Sequence, residues 1–96
     1  MQNELMKVRV EFYGMARQRA GRGQIELELP GRSTHLGAVL EAVAAALPDL
    51  AGEWIADGRL HATLAANLDG ERFVSDPRTS VSEENCVLIL SADAGG

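Results

Sequence analysis

The sequence predicts an α+β domain, a mixed β-sheet with one main helix packed on one face. Three observations predict it. Two segments near the start alternate apolar and polar residues with the two-residue period of half-buried strands. One central segment, Leu36 to Leu47, carries its apolar residues at helical spacing. A last apolar run, Cys86 to Ser91, reads as a strand, and the diglycine Gly95-Gly96 follows it closely.

The first strand is read over Lys7 to Gly14. Val8, Val10 and Phe12 point one way, and Arg9, Glu11 and Tyr13 point the other. The second runs from Gln24 to Leu29, with Ile25, Leu27 and Leu29 inward and Glu26 and Glu28 outward. Gly21-Arg22-Gly23 supplies turn residues, so the two strands form a hairpin with a moderately long connection. Pro30-Gly31 ends the second strand, and Ser33 or Thr34 is expected to cap the helix. Leu36, Val39, Leu40, Val43 and Leu47 form the helical stripe, and the alanines around them are strong helix formers. Gly37 costs such a helix about 1 kcal/mol relative to Ala. It is expected to permit close packing against the sheet. Pro48 ends the helix.

Residues 49–59 read as a mixed segment in which Leu50, Trp54 and Ile55 are expected to form a short helical turn covering the core edge. Leu60 to Leu68 reads as a strand. Asp69-Gly70 is a hairpin turn signal leading into Arg72-Phe73-Val74. Asp76-Pro77 marks a loop, Val81 is a lone apolar anchor, and Glu83-Glu84-Asn85 forms a turn. The final strand sets Val87 and Ile89 on the core face and Leu88 and Leu90 on the other. The order is β-β-α-β-β, with the last strand running directly into the tail.

Composition narrows the function. Ninety-six residues make a single domain, 1–96, with a flexible tail over about 91–96. A net charge of −5 argues against nucleic acid, which requires a basic face. One lysine, Lys7, stands against eight arginines, a poor basis for chains built on the protein's own lysines. The single Cys86 forms no intramolecular disulfide. Together with the lack of a signal-like apolar start, it points to the cytoplasm. The apolar stretch Leu36–Leu47 is interrupted by Glu41 and too short to cross a bilayer, so no membrane partner is expected.

Most chemical candidates fall away. Cys86 opens an apolar strand with no His near it in sequence, the setting of a small buried hydrophobe. His35 and His61 lack the spacing of metal ligands, so no metal site is read. His35 suits the first turn of the helix. Gly14, Gly21 and Gly23 make no phosphate loop, because no Gly-Lys-Ser/Thr follows. Glu26/Glu28 and Glu83/Glu84 read as solvated faces or turns, and Trp54 as core cover. What remains is the tail. Glycine reaches backbone conformations closed to other residues, and Gly95-Gly96 can thread a narrow active site that any side chain would block.

At this point the chain resembles a known family, the β-grasp, ubiquitin-like sulfur carriers of the MoaD/ThiS type, which include the molybdopterin synthase small subunit. Val8-Arg9-Val10-Glu11-Phe12-Tyr13-Gly14-Met15-Ala16-Arg17, then Ala20-Gly21, is similar to the family's opening strand and turn. Thr34 to Leu47 is similar to its helix. Asp57-Gly58-Arg59-Leu60 and Ala66-Asn67-Leu68 resemble its middle strands, and Val81 to Leu90 with Ala94-Gly95-Gly96 its closing strand and tail. Ser91-Ala92 stands where many molybdopterin members carry a proline pair. Glu83-Glu84-Asn85 stands where an acidic-Gly-Asp turn is usual. Residues 49–62 are extra relative to the shorter thiamine type.

The resemblance implies a carrier, not an enzyme. A ubiquitin-activating-like adenylyltransferase, using ATP, would adenylate the Gly96 carboxylate. A persulfide donor would convert it to a thiocarboxylate, which delivers sulfur to a larger synthase subunit. Gly95 gives access, Gly96 supplies the reacting atoms, and no cofactor is bound by the chain itself. Leu90, Leu88 and Tyr13 are the expected partner-binding residues, as apolar groups on the sheet face away from the core. Against this stands a covering of those residues by segment 49–62. Molybdopterin biosynthesis is the first choice of pathway, with cysteine, thiamine or another sulfur-transfer pathway beside it. A ubiquitin-like protein modifier and a non-reactive interaction module are the rival readings.

Overall fold

The computed structural model describes residues 4–92. The predicted α+β architecture is the observed one. Strand β1 (Leu5–Phe12) starts two residues earlier than expected, because Met6 continues the inward series and is buried with Val8, Val10 and Phe12. The hairpin connection holds a helix that the sequence reading lacks, α1 (Met15–Ala20). It is six residues long and buries only Ala16, so it carries no periodic stripe to detect. Gly21 closes it, its N–H donating to the Arg17 carbonyl at 3.0 Å. Strand β2 (Gln24–Pro30) then pairs antiparallel with β1 from Glu11↔Gln24 to Leu5↔Pro30.

Ser33 and Thr34 do not cap the main helix. They belong to a short strand, β3 (Ser33–His35), and their backbone is committed to pairing. The cap is His35, whose Nδ1 accepts from the Ala38 N–H at 3.2 Å as helix α2 (Leu36–Ala46) begins. A 3-10 turn at Pro48–Leu50 follows. Ile55 is not in a helical turn as expected. It sits in a two-residue strand, β4 (Ile55–Ala56), paired with β5 (Arg59–Leu60) across Asp57-Gly58. The strand expected over Leu60–Leu68 is broken by a turn in which the Leu64 N–H donates to the His61 carbonyl at 2.9 Å. Only β6 (Leu64–Leu68) joins the main sheet.

Asp69-Gly70 turns β6 into β7 (Arg72–Val74) as predicted. Val81 is the buried centre of β8 (Ser80–Ser82), which pairs with β3. The chain then enters β9 (Cys86–Ser91). The main sheet has the order β2-β1-β9-β6-β7. Strand β9 lies at its centre, parallel to β1 and antiparallel to β6. One sheet face, built from Met6, Val8, Val10, Phe12, Leu64, Ala66, Leu68, Val87 and Ile89, forms one buried cluster with Leu36, Val39, Leu40 and Val43 of α2.

Gly37 permits a close approach, but to a loop and not to the sheet. A Cβ there would lie 3.1 Å from Pro77 Cβ and 3.3 Å from the Pro77 carbonyl oxygen, which accepts the Gly37 N–H at 2.8 Å. Gly58 packs on the same glycine from the β4–β5 turn. A Cβ at Gly58 would lie 3.1 Å from the Gly37 carbonyl oxygen. Two side-chain-free positions thus let the 49–62 segment and the 76–79 loop meet at the start of α2.

Candidate functional site

The parallel pairing of β9 with β1 decides where the tail begins. The end of β1 and the start of β6 flank the end of β9, so the chain leaves the sheet at its centre. The tail was expected over about 91–96, but its first two positions are held. Ser91 is the last residue of β9 and is 8% exposed. Its Oγ accepts from the Met15 N–H at 3.3 Å. A Cβ at Gly14 would lie 2.9 Å from that same Oγ, so glycine there leaves the serine its place. On the opposite side the Ala92 N–H donates to the Thr63 carbonyl at 2.8 Å. Gly95 and Gly96 lie outside the described residues.

The three predicted partner-binding residues share one sheet face. Along β9, Val87 and Ile89 are buried while Leu88 and Leu90 are half-buried on the other side. Leu88 is flanked by Glu11 of β1 and Asn67 of β6, and Leu90 is paired with Ala65. Tyr13 is 43% exposed beyond the end of β1, and its N–H donates to the Ile89 carbonyl at 2.9 Å. Its hydroxyl donates to the Glu11 carboxylate. That bond holds the Glu11 carboxyl below its usual range and pushes the Tyr13 phenol up. Segment 49–62 does not cover this face. Its buried residues Leu50 and Ile55 join the cluster on the opposite, helix side.

The sequence reading missed two members of the face. Phe73, 53% exposed, is paired with Asn67 and so projects on the same side as Leu88. Its strand is three residues long, too short for alternation to assign a face. Asn67 is 7% exposed, and its Oδ1 is buried without a hydrogen-bond partner. A buried carbonyl left unpaired costs about 1–3 kcal/mol, whereas an apolar side chain of similar shape incurs no such penalty. Asn67→Leu is therefore expected to stabilise the domain by about 1 kcal/mol. In a thermal melt this raises the midpoint by roughly 5 °C. A lowered midpoint would show that the carboxamide is satisfied in solution.

Cys86 is not the buried core residue expected. It is half-buried on the outer face, beside Arg9 in the β1–β9 register. Partial burial pushes its thiol up, although Arg9 pulls the other way. The thiol form dominates near neutral pH, which does not favour a nucleophile. Glu26, Glu28, Glu83 and Glu84 are all exposed, as expected, and Trp54 packs half-buried against the core. His61 Nδ1 accepts from the Thr63 N–H at 3.1 Å. Among the described residues no three His, Cys, Asp or Glu side chains come together to hold a metal. Among them, too, no helix is long and apolar enough to cross a membrane.

No family model matches the chain, and no curated protein matches it. Solved structures do. SAMP1 from Haloferax volcanii is 18% identical with a TM-score of 0.76, covering 94% of this chain and 99% of that one. A putative molybdopterin converting factor, subunit 1, from Pyrococcus furiosus is 22% identical with a TM-score of 0.71, covering 90% and 97%. A chain of the BexX/CysO complex from Amycolatopsis orientalis is 20% identical with a TM-score of 0.64, covering 93% and 99%. The chain has the β-grasp, ubiquitin-like fold, as its overall likeness to these structures and its mixed sheet with one main helix show.

Proposed function

We propose that this chain is a sulfur carrier whose Gly96 carboxylate is adenylated and then converted to a thiocarboxylate. The observation that carries the reading is the central position of β9. Beyond it the chain runs through Ala92 to Gly95-Gly96, from a root tied on one side to Met15 of α1 and on the other to Thr63, just before β6. The fold shared with a molybdopterin converting factor subunit supports molybdopterin biosynthesis as the pathway.

In this reading a ubiquitin-activating-like adenylyltransferase binds ATP, and the chain itself holds no cofactor. A Gly96 carboxylate oxygen attacks the α-phosphorus, and pyrophosphate leaves. Activation is required because a free carboxylate is a poor acyl donor. The terminal sulfur of a persulfide enzyme attacks the acyl carbon and AMP leaves. A second thiol then reduces the acyl disulfide and releases the thiocarboxylate. The thiocarboxylate passes its sulfur to a larger synthase subunit in the cytoplasm. Leu90, Leu88 and Tyr13, joined by Phe73, form the surface on which these partners dock. An apolar patch bordered on β1 by the charged residues Glu11 and Arg9 suits an interface core with a polar rim.

Intact-protein mass spectrometry tests the proposal. The chain is incubated with ATP, the adenylyltransferase and a persulfide donor. The expected result is a mass gain equal to one sulfur-for-oxygen exchange. No gain with an enzyme that activates another carrier would overturn the reading. The fold of SAMP1 favours one second reading, a modifier joined through Gly96 to lysines of other proteins. It predicts Gly96 in isopeptide linkage in cell extracts.

A further inference from the structure

We propose that the cleft beside the tail root receives an apolar side chain of the adenylating protein. This rests on the carrier reading above. The cleft has a volume of about 280 Å³ and is lined by Met15, Arg19, Glu53, Trp54, His61 and Thr63. Neither the outer sheet face nor the tail contains any of these residues.

Length of chain carries the argument. Four residues follow Ala92, and a fully extended chain spans about 3.5 Å per residue. The Gly96 carboxylate is therefore within about 14 Å of the root. A free, wandering root would relax that limit. Here the root is fixed by Ser91 Oγ on the Met15 N–H and by the Ala92 N–H on the Thr63 carbonyl. An enzyme that closes a water-excluding site around Gly96 must press on the surface at the root. Met15 and Thr63, the two residues that hold the root, are also walls of the cleft.

The chemistry of the cleft selects the occupant. Met15 is 42% exposed, a pliable thioether at the rim. The Trp54 ring forms a wall, with the Arg19 guanidinium carbon 5.1 Å from its centroid. Arg19 is neutralised by Glu53 at 2.8 Å, so the cleft presents no unpaired charge from that pair. His61 is committed through Nδ1 to Thr63. An apolar or aromatic side chain fits these walls, and a charged one finds no counter-ion. A half-buried aromatic beside a Met, in a small cleft that a partner side chain would desolvate, is the setting of an interface hot spot.

The test is ATP–pyrophosphate exchange by the purified adenylyltransferase, with the concentration of carrier varied. Met15→Glu places a carboxylate at the cleft rim. It is the first residue of α1, where an acidic side chain is tolerated, so the fold survives. Leu5→Glu is the control. Leu5 is 57% exposed but lies at the far end of β1, about 23 Å from Phe12 and beyond the tail's reach. Met15→Glu is expected to raise the KM for carrier by about tenfold or more, with kcat little changed and the thermal midpoint of wild type. Leu5→Glu is expected to leave KM unchanged. If wild type is active and the two variants behave alike, the cleft is not a docking site and the carrier reading stands. If wild type supports no exchange, the carrier reading fails and this proposal with it.

Discussion

Deletion of Gly96 is expected to abolish the sulfur-for-oxygen mass gain while leaving the domain as stable as before. The deletion does not remove the carboxylate. It draws it back by one residue, about 3.5 Å, toward a root that cannot follow. Ser91 and Ala92 are tied to Met15 and Thr63, so the loss is not recovered by slippage of β9. A misplacement of about 1 Å can cost about a hundredfold in a step that depends on alignment of reacting atoms. A shift of several ångströms removes the reaction from measurement. Stability is unaffected because the core is formed by residues 6–89. Intact mass and a urea midpoint, measured on the same sample, check both halves. A mass gain at the wild-type rate would show that tail length does not place the reacting group, and would strip Gly96 of its proposed role.

The second large effect concerns the two Asp-Gly turns. Asp57-Gly58 and Asp69-Gly70 share one backbone geometry, with φ of 55° and 71° in the first and 61° and 74° in the second. Both glycines lie in the left-handed region, where a β-branched residue costs about 1–2 kcal/mol. Their surroundings differ. A Cβ at Gly70 meets nothing within 4 Å, while one at Gly58 meets the Gly37 backbone at 3.1–3.4 Å. All three contact atoms are Gly37 backbone, not the end of a flexible side chain, so overpacking adds about 1–3 kcal/mol. Gly58→Val is therefore expected to cost about 3 kcal/mol or more, against about 1–2 kcal/mol for Gly70→Val. For a domain of this size that lowers the thermal midpoint by roughly 15 °C in the first case and roughly 5–10 °C in the second. Equal losses would mean that the Gly37–Gly58 contact carries no strain when filled.

The outcome at these turns shows how much was legible. Both Asp-Gly pairs were visible in the sequence, and the second was read as a hairpin turn because it follows the apolar run Leu60–Leu68 and leads into Arg72-Phe73-Val74. The first was not, because its strands are two residues each and resemble any loop. The same limit hid α1 and β3. In α1 only Ala16 and Ala20 face inward, and in β3 only Thr34, too few residues to establish a period. The N-cap of α2 was misplaced for a different reason. Ser33 and Thr34 are the better capping residues by type, but pairing with β8, which lies about 45 residues away in sequence, claims their backbone first.

The candidate surface divides in the same way. Period-two alternation put Tyr13, Leu88 and Leu90 away from the core, and they are away from it. Phe73 and Asn67 joined them only through the register of β6 with β7 and β9. Met15, Arg19, Trp54 and His61 meet beside the tail root because α1, the 49–62 segment and the start of β6 converge there. These residues lie up to 46 positions apart (61 − 15) and share no sequence pattern.

By itself the sequence determined the elements long enough to repeat. These are the strands of the hairpin, the main helix and the closing strand, because an alternating or helical stripe records locally which side faces the core. It also placed the diglycine after that last strand. Only the tertiary structure decided that β9 lies at the sheet centre parallel to β1, that its last residues are tied down on both sides, and which side chains surround the point where the tail leaves. Those depend on hydrogen bonds and contacts between distant segments, and such pairings leave no periodic trace in a single chain.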